Sequence, residues 1–154
     1  MQRKINFAGR VVIVTHELFY GAPQALRDYL VTKKNNEVYF ISHPIIAENN
    51  HSYIQKFIKG KYIWQKNINR PIRVSFFGYI IDFLYTCWWI ISEKNRFDVY
   101  IGIDGLNCLV GLIFKAFGIV NHVIFYSIDF TPQRFPHFYI NKLYHYIETI
   151  CVKY

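Results

Sequence analysis

Three stretches of this chain are apolar and rich in β-formers along most of their length: Val11–Thr15, Phe97–Ile103 and His122–Ile128. A strand without polar alternation needs cover on both faces, the condition met in a parallel sheet flanked by helices. The intervening segments have helical spacing. Pro23 suits a first helical turn, where its missing N–H costs nothing. Ala22, Ala25, Leu26, Tyr29 and Leu30 then share one face, and Lys33 and Lys34 oppose the dipole at the far end. Glu37–Ser42 reads as a second strand, closed by His43-Pro44. Leu106–Phe117 is a strongly apolar helix. A loop over Phe130–Pro136 leads into a last helix, His137–Tyr154. With Tyr62–Trp64 as a short extra strand, the order predicts an α/β fold: a Rossmann-like, doubly wound parallel sheet of about five strands with flanking helices. The length of 154 residues fits a single domain over 1–154 with a substantial core.

The strand ends carry the chemistry. Phe97–Ile103 runs into Ile103-Asp104, and His122–Ile128 runs into Ile128-Asp129. In open parallel sheets, ligands bind outside the carboxyl ends of the strands. Two readings stand for Asp104: a helix N-cap, or with Asn107 a pair of hydrogen-bonding groups for sugar hydroxyls. Asp129 precedes a loop. It reads as a general base or hydroxyl ligand, or as the ion-pair partner of Arg134. His16 and Gly21 lie in the first strand-to-helix turn, where a helix N-terminus offers N–H groups to an anion. The plainer reading of Gly21 is a turn glycine. Neither G-x-G-x-x-G nor G-x-x-x-x-G-K-[ST] is present, which argues against dinucleotide and P-loop chemistry. The 6 histidines have no metal-ligand spacing, so no metal is expected. No Gly-x-Ser-x-Gly elbow occurs.

A net charge of +8 implies an anionic partner. Glu48 and Asp82 are consecutive acids, and between them stand Lys56, Lys59, Lys61, Lys66, Arg70 and Arg73, interleaved with Tyr53, Phe57, Tyr62, Trp64, Phe76 and Phe77. This stretch reads as a face for a phosphorylated ligand or an anionic membrane, or as an ordinary solvated face with its aromatics turned inward. No nucleic-acid motif accompanies it, so nucleic acid is not an expected partner. Val74–Ser92 is long enough to span a bilayer, and Asp82 is its only charge. Ser75, Asp82, Thr86 and Glu93 line one helical face, which predicts a surface-packed or interfacial helix over Phe76–Lys94 instead. The aromatic content of 19% calls for a very large core or for apolar surface that meets something. Cys87, Cys108 and Cys151 are odd in number and scattered, and Met1–Arg10 has no apolar core, so a reduced, cytoplasmic protein is expected.

Three segments together resemble the N-terminal domain of a glycosyltransferase of the two-Rossmann-domain (GT-B) architecture, of the group 1, family 4 kind. They are Val11–Leu30, Phe97–Gly111 (FDVYIGIDGLNCLVG), and Val123–Phe135 (VIFYSIDFTPQRF) leading into Tyr144–Cys151 (YHYIETIC). The resemblance implies half of a GT-B fold that takes the acceptor, with catalysis in a cleft closed by a second domain that binds the nucleotide-sugar. It implies no metal and no cofactor beyond that co-substrate. It matches the Gly21 turn, with His16, to the turn facing the donor phosphates. Asp129 matches the family's Asp at a strand end, although Ile128 stands where a His is frequent. Asp104, Asn107 and Arg134 would then face the acceptor, and the basic-aromatic stretch would face lipid or a lipid-linked acceptor. The expected protein is a truncated or split transferase, inactive alone, either free in the cytoplasm or peripheral at the inner membrane face. The alternative is a membrane-docking subunit or scaffold that recruits a separate catalytic chain. A stand-alone nucleotide-binding protein has fold support only.

Overall fold

The computed structural model describes residues 9–16, 20–33, 36–44, 51–69, 76–128 and 131–154. Its strands are β1 (Gly9–Thr15), β2 (Asn36–Ser42), β3 (His51–Ile58), β4 (Lys61–Asn69), β5 (Phe97–Ile103) and β6 (Val120–Tyr126). Its helices are α1 (Ala22–Thr32), α2 (Phe76–Ser92), α3 (Gly105–Ala116) and α4 (Phe138–Lys153). The strands form one sheet in the order β4-β3-β2-β1-β5-β6. β2, β1, β5 and β6 are parallel, and β3 and β4 are antiparallel additions on the β2 edge. The architecture is α/β with helices on both faces, compatible with a Rossmann-like fold.

The uninterrupted strands are covered as their composition requires. Val11, Ile13, Val38, Phe40, Val99 and Ile101 point to one face, where Leu30 of α1 joins them. Val12, Val14, Tyr39, Ile41 and Tyr100 point to the other, packed with Trp89 and Ile90 of α2 and Val110 and Phe114 of α3. α3 lies very close to β5. A Cβ on Gly102 would stand 2.4 Å from the Cα of Cys108, a backbone atom that cannot give way. α4 packs on the outside of α3, and the buried Cys151 thiol reaches the Gly105 carbonyl.

The sheet departs from the expected one at an edge. The basic-aromatic stretch expected to hold only the short strand Tyr62–Trp64 forms the hairpin β3–β4. Its two-residue loop, Lys59-Gly60, has φ of 50° and 81°, the paired positive values that match a hairpin to the twist of its strands. β3 is covered on both faces without an aliphatic run. Ile54 joins the α2 side, while Tyr53 and Phe57 join the α1 side. The sequence therefore hides a strand that the wholly parallel, five-strand expectation lacked. β6 also ends earlier than expected. Its last residue, Tyr126, pairs with Ile103, the last residue of β5, so Ser127 and Ile128 lie beyond the ladder.

Replacing Gly102 with Ala drives a methyl group into the α3 backbone. The expected loss is about 1–3 kcal/mol of unfolding free energy by denaturant titration, with the secondary structure retained.

Candidate functional site

The chain reverses its direction of winding at β1. From β1 it crosses to β2 on one side, and later returns to β5 on the other. The carboxyl ends of β1 and β5 therefore bound the crevice in which such sheets place ligands. His16 directly follows β1, His43 directly follows β2, and Asp104 directly follows β5.

His16 is 4% exposed. Its Nδ1 lies 2.9 Å from Asp104 Oδ2, and its Nε2 lies 3.4 Å from Asp82 Oδ2. Burial works to remove the ring's second proton. The charge and hydrogen bonds of Asp104 and Asp82 outweigh it, and the pKa rises from 6.5 to about 9. The ring is an imidazolium at neutral pH, donating from Nδ1 to Asp104, while Nε2 meets Asp82 at ion-pair distance without hydrogen-bond geometry. The Asn107 side-chain nitrogen stands 2.9 Å from the same Nδ1, but it donates to the Ile103 carbonyl at 2.8 Å and closes off the ring edge.

Asp82 continues the cluster inward. It is 1% exposed, and its Oδ1 lies 3.4 Å from His43 Nδ1. His43 also meets Ser52 Oγ at 2.9 Å and Thr86 Oγ1 at 2.8 Å. The polar stripe of the long apolar helix thus turns toward the sheet. Asp82 and Thr86 reach the two histidines, and Glu93 accepts from the Tyr39 hydroxyl at 2.9 Å. The helix is packed on the surface of the sheet, as the stripe predicts, with its polar face turned inward.

Asp104 is a helix N-cap, one of its two sequence readings, and is also drawn into the ion cluster. Oδ1 accepts from the Asn107 backbone N–H and caps α3, while Oδ2 takes His16 and stands 3.8 Å from Arg134 Nη2. Its backbone sits at φ 74°, ψ 168°, a region L residues rarely adopt, costing on the order of 1–3 kcal/mol. Arg134 lies over the Tyr144 ring and donates to its hydroxyl at 2.9 Å. Tyr79 of α2 closes one side, edge-on to His16 and to Phe135. At the crevice Asp104 and Arg134 stay partly buried, with side chains 12% and 24% exposed.

The other candidates are placed differently. Gly21 precedes α1 in extended backbone, φ −153°, which any residue adopts, and its N–H is held by Gln24 Oε1 at 2.9 Å. Asn107 is buried and serves the turn itself. Asp129, Arg70 and Arg73 lie outside the described residues. The remaining cations do not form one patch. Lys56 binds Glu37 at 2.7 Å, Lys59 and Lys61 sit at the hairpin turn on the opposite end of the sheet from the crevice, and Lys66 stands over Trp64. His43, Ser52, Asp82 and Thr86 were not singled out as site residues. The available signal was the Asp82–Thr86 spacing inside an apolar helix, together with a histidine after each of two strands. Among the described residues, no group of three or more His, Cys, Asp or Glu side chains is arranged to hold a metal ion.

The raised pKa of His16 gives a signed prediction. Its contribution to stability is complete below about 6.5 and is lost as the pH rises through about 9. Unfolding free energy should fall across that window, and His16→Gln should flatten the fall. Asp82→Ala leaves the buried cation with half its counter-charge and should cost about 3–5 kcal/mol in denaturant titrations.

Neither a protein-family model, nor a curated protein, nor a solved structure matches this chain.

Proposed function

We propose that this chain is the acceptor-side half of a GT-B glycosyltransferase, one that moves a sugar from a nucleotide-sugar to a glycan or lipid-linked acceptor. The observation that carries the reading is the convergence of Asp104 and Arg134 at the mouth of the β1–β5 crevice, above a buried imidazolium. Carboxylate and guanidinium groups side by side suit a polyhydroxylated ligand, because one accepts from hydroxyls and the other donates to them. The strained backbone of Asp104 adds support, since such conformations gather at ligand sites. His16, Asp104 and Arg134, one from each segment resembling family 4 glycosyltransferases, meet in this cluster.

In this reading the buried cluster does no bond-breaking. His16 fixes Asp104 in place, and Asp82 with His43 fixes His16, so the outer carboxylate edge is preorganised for an acceptor hydroxyl. The general base falls to Asp129, the residue matched by the resemblance. The nucleotide-sugar is held by a second Rossmann-like unit across the cleft, and no metal is needed. The reaction takes place in the cytoplasm.

The test is a titration of the labelled chain with acceptor-type oligosaccharides and with nucleotide-sugars, followed by amide chemical shifts. Saccharides should perturb the signals of Gly21, Asp104, Gly105 and Arg134, and Arg134→Ala should weaken the response about tenfold, the loss of one charge-assisted hydrogen bond. The isolated chain should not turn over nucleotide-sugars. Tight nucleotide binding without a saccharide response would replace this reading with that of a stand-alone nucleotide-binding protein. Asp104→Gly should abolish the response yet fold more stably than Asp104→Ala by about 1 kcal/mol, because glycine relieves the backbone strain.

A further inference from the structure

The polarity of α2 is inverted relative to a surface helix. Phe77, Ile80, Leu84, Trp88 and Ile91 face outward and are 43% to 66% exposed. At the helical repeat they fall within an arc of about 80°. The charged and polar residues Asp82, Thr86 and Glu93 lie on the opposite side, against the sheet. Single exposed apolar side chains are common, but a continuous row along a whole helix marks an interaction surface.

The surrounding charge selects the occupant. At the C-terminal end of the row, Ile91 shares a shallow hollow with the exposed Lys94 and Arg96. On β4, the exposed Lys66 stands 4.6 Å over the ring of Trp64, which packs into the same core as α2. Among the described residues from 51 to 96 the acids are Asp82 and Glu93. Asp82 is buried, and Glu93 accepts from Tyr39 and lies 3.7 Å from Lys56. The row therefore has cations at its C-terminal end and another on the same face of the sheet, with no outward acid beside it among those residues. A net charge of +8 repels a second copy of the chain and attracts an anionic surface.

We propose that α2 docks the protein flat on an anionic phospholipid bilayer. Among the described residues no helix is long and apolar enough to cross a membrane. The 17 residues of α2, about 25 Å long, instead lie in the interfacial plane. Phe77, Ile80, Leu84 and Ile91 enter the acyl boundary, Trp88 sits at headgroup depth, and the cations meet lipid phosphates. Tyr79 lies on the sheet side of α2 with Asp82 and Thr86 and walls the crevice through His16 and Phe135, so one helix serves the crevice with one face and the bilayer with the other. The docking does not depend on what the crevice binds.

Flotation of the full chain with vesicles tests the proposal. The protein should float with equimolar phosphatidylglycerol and phosphatidylcholine and stay behind with phosphatidylcholine alone. Leu84→Ser/Trp88→Ser should reduce flotation at least about tenfold, because the cations alone hold the surface weakly without apolar insertion. Its thermal unfolding by circular dichroism should match the parent, since both side chains face outward. Lys94→Glu/Arg96→Glu should weaken binding to the anionic vesicles independently of any apolar change. Absence of flotation with anionic vesicles, or undiminished flotation of both variants, would overturn the proposal. So would a parent chain that sediments as a dimer which Leu84→Ser/Trp88→Ser converts to a monomer, because a second copy would then cover the row.

Discussion

The ion triad of Asp82, His16 and Asp104 sets the orientation of everything around it. A carboxylate inside an apolar helix cannot remain buried alone, because desolvating a charge without a partner costs several kcal/mol. Asp82 meets that demand by facing the imidazolium that β1 presents and the second histidine that β2 presents. Once that side of α2, with Trp89 and Ile90, is committed to the sheet, the apolar row from Phe77 to Ile91 has nowhere to go but outward. The same triad pins Asp104 at the end of β5 and so shapes the crevice mouth. The helix orientation, the closed inner wall of the crevice and the exposed apolar row share this one electrostatic cause.

The sheet supplies the frame for that triad. Parallel strands in register place their carboxyl ends at one level, so residues far apart in sequence meet without a dedicated loop. His16 and Asp104 are 88 positions apart and 2.9 Å distant. The close approach of α3 at Gly102 fixes the start of that helix, and with it the cap and the side chain of Asp104. Packing and electrostatics thus converge on one carboxylate, which explains how its unusual backbone geometry is sustained.

Much of this was legible in the sequence. Unbroken runs such as Val11–Thr15 announced buried parallel strands, and Ile103-Asp104 marked a strand end with a cap. His16 and Asp104 were named as candidates, and they touch. The hairpin is hidden in the sequence because residues such as Lys56 and Gln55 disguise a strand whose cover comes from Tyr53, Phe57 and Ile54. Helical periodicity placed Asp82 and Thr86 on one face but gave no sign of which way that face points. That direction depends on His16 and His43, whose positions only the sheet order reveals. Charge counts misled for a related reason. A run of lysines along a hairpin is spread between its turn and the body of its strands, and one of them, Lys56, is neutralised by Glu37.

The place of β1 at the centre of the sheet also has a bearing on how the chain folds. Its partner on one side, β2, follows within a single helix, whereas Val11 waits for Val99 on the other. During synthesis, β1, α1, β2 and the β3–β4 hairpin can associate early through local contacts, leaving one edge of β1 open until β5 emerges. Closure of that long loop is an entropic barrier that sets a slow step in the rate of folding. Until it closes, a row of aliphatic residues and unpaired backbone groups faces solvent, and this interval is when the nascent chain most needs protection from aggregation.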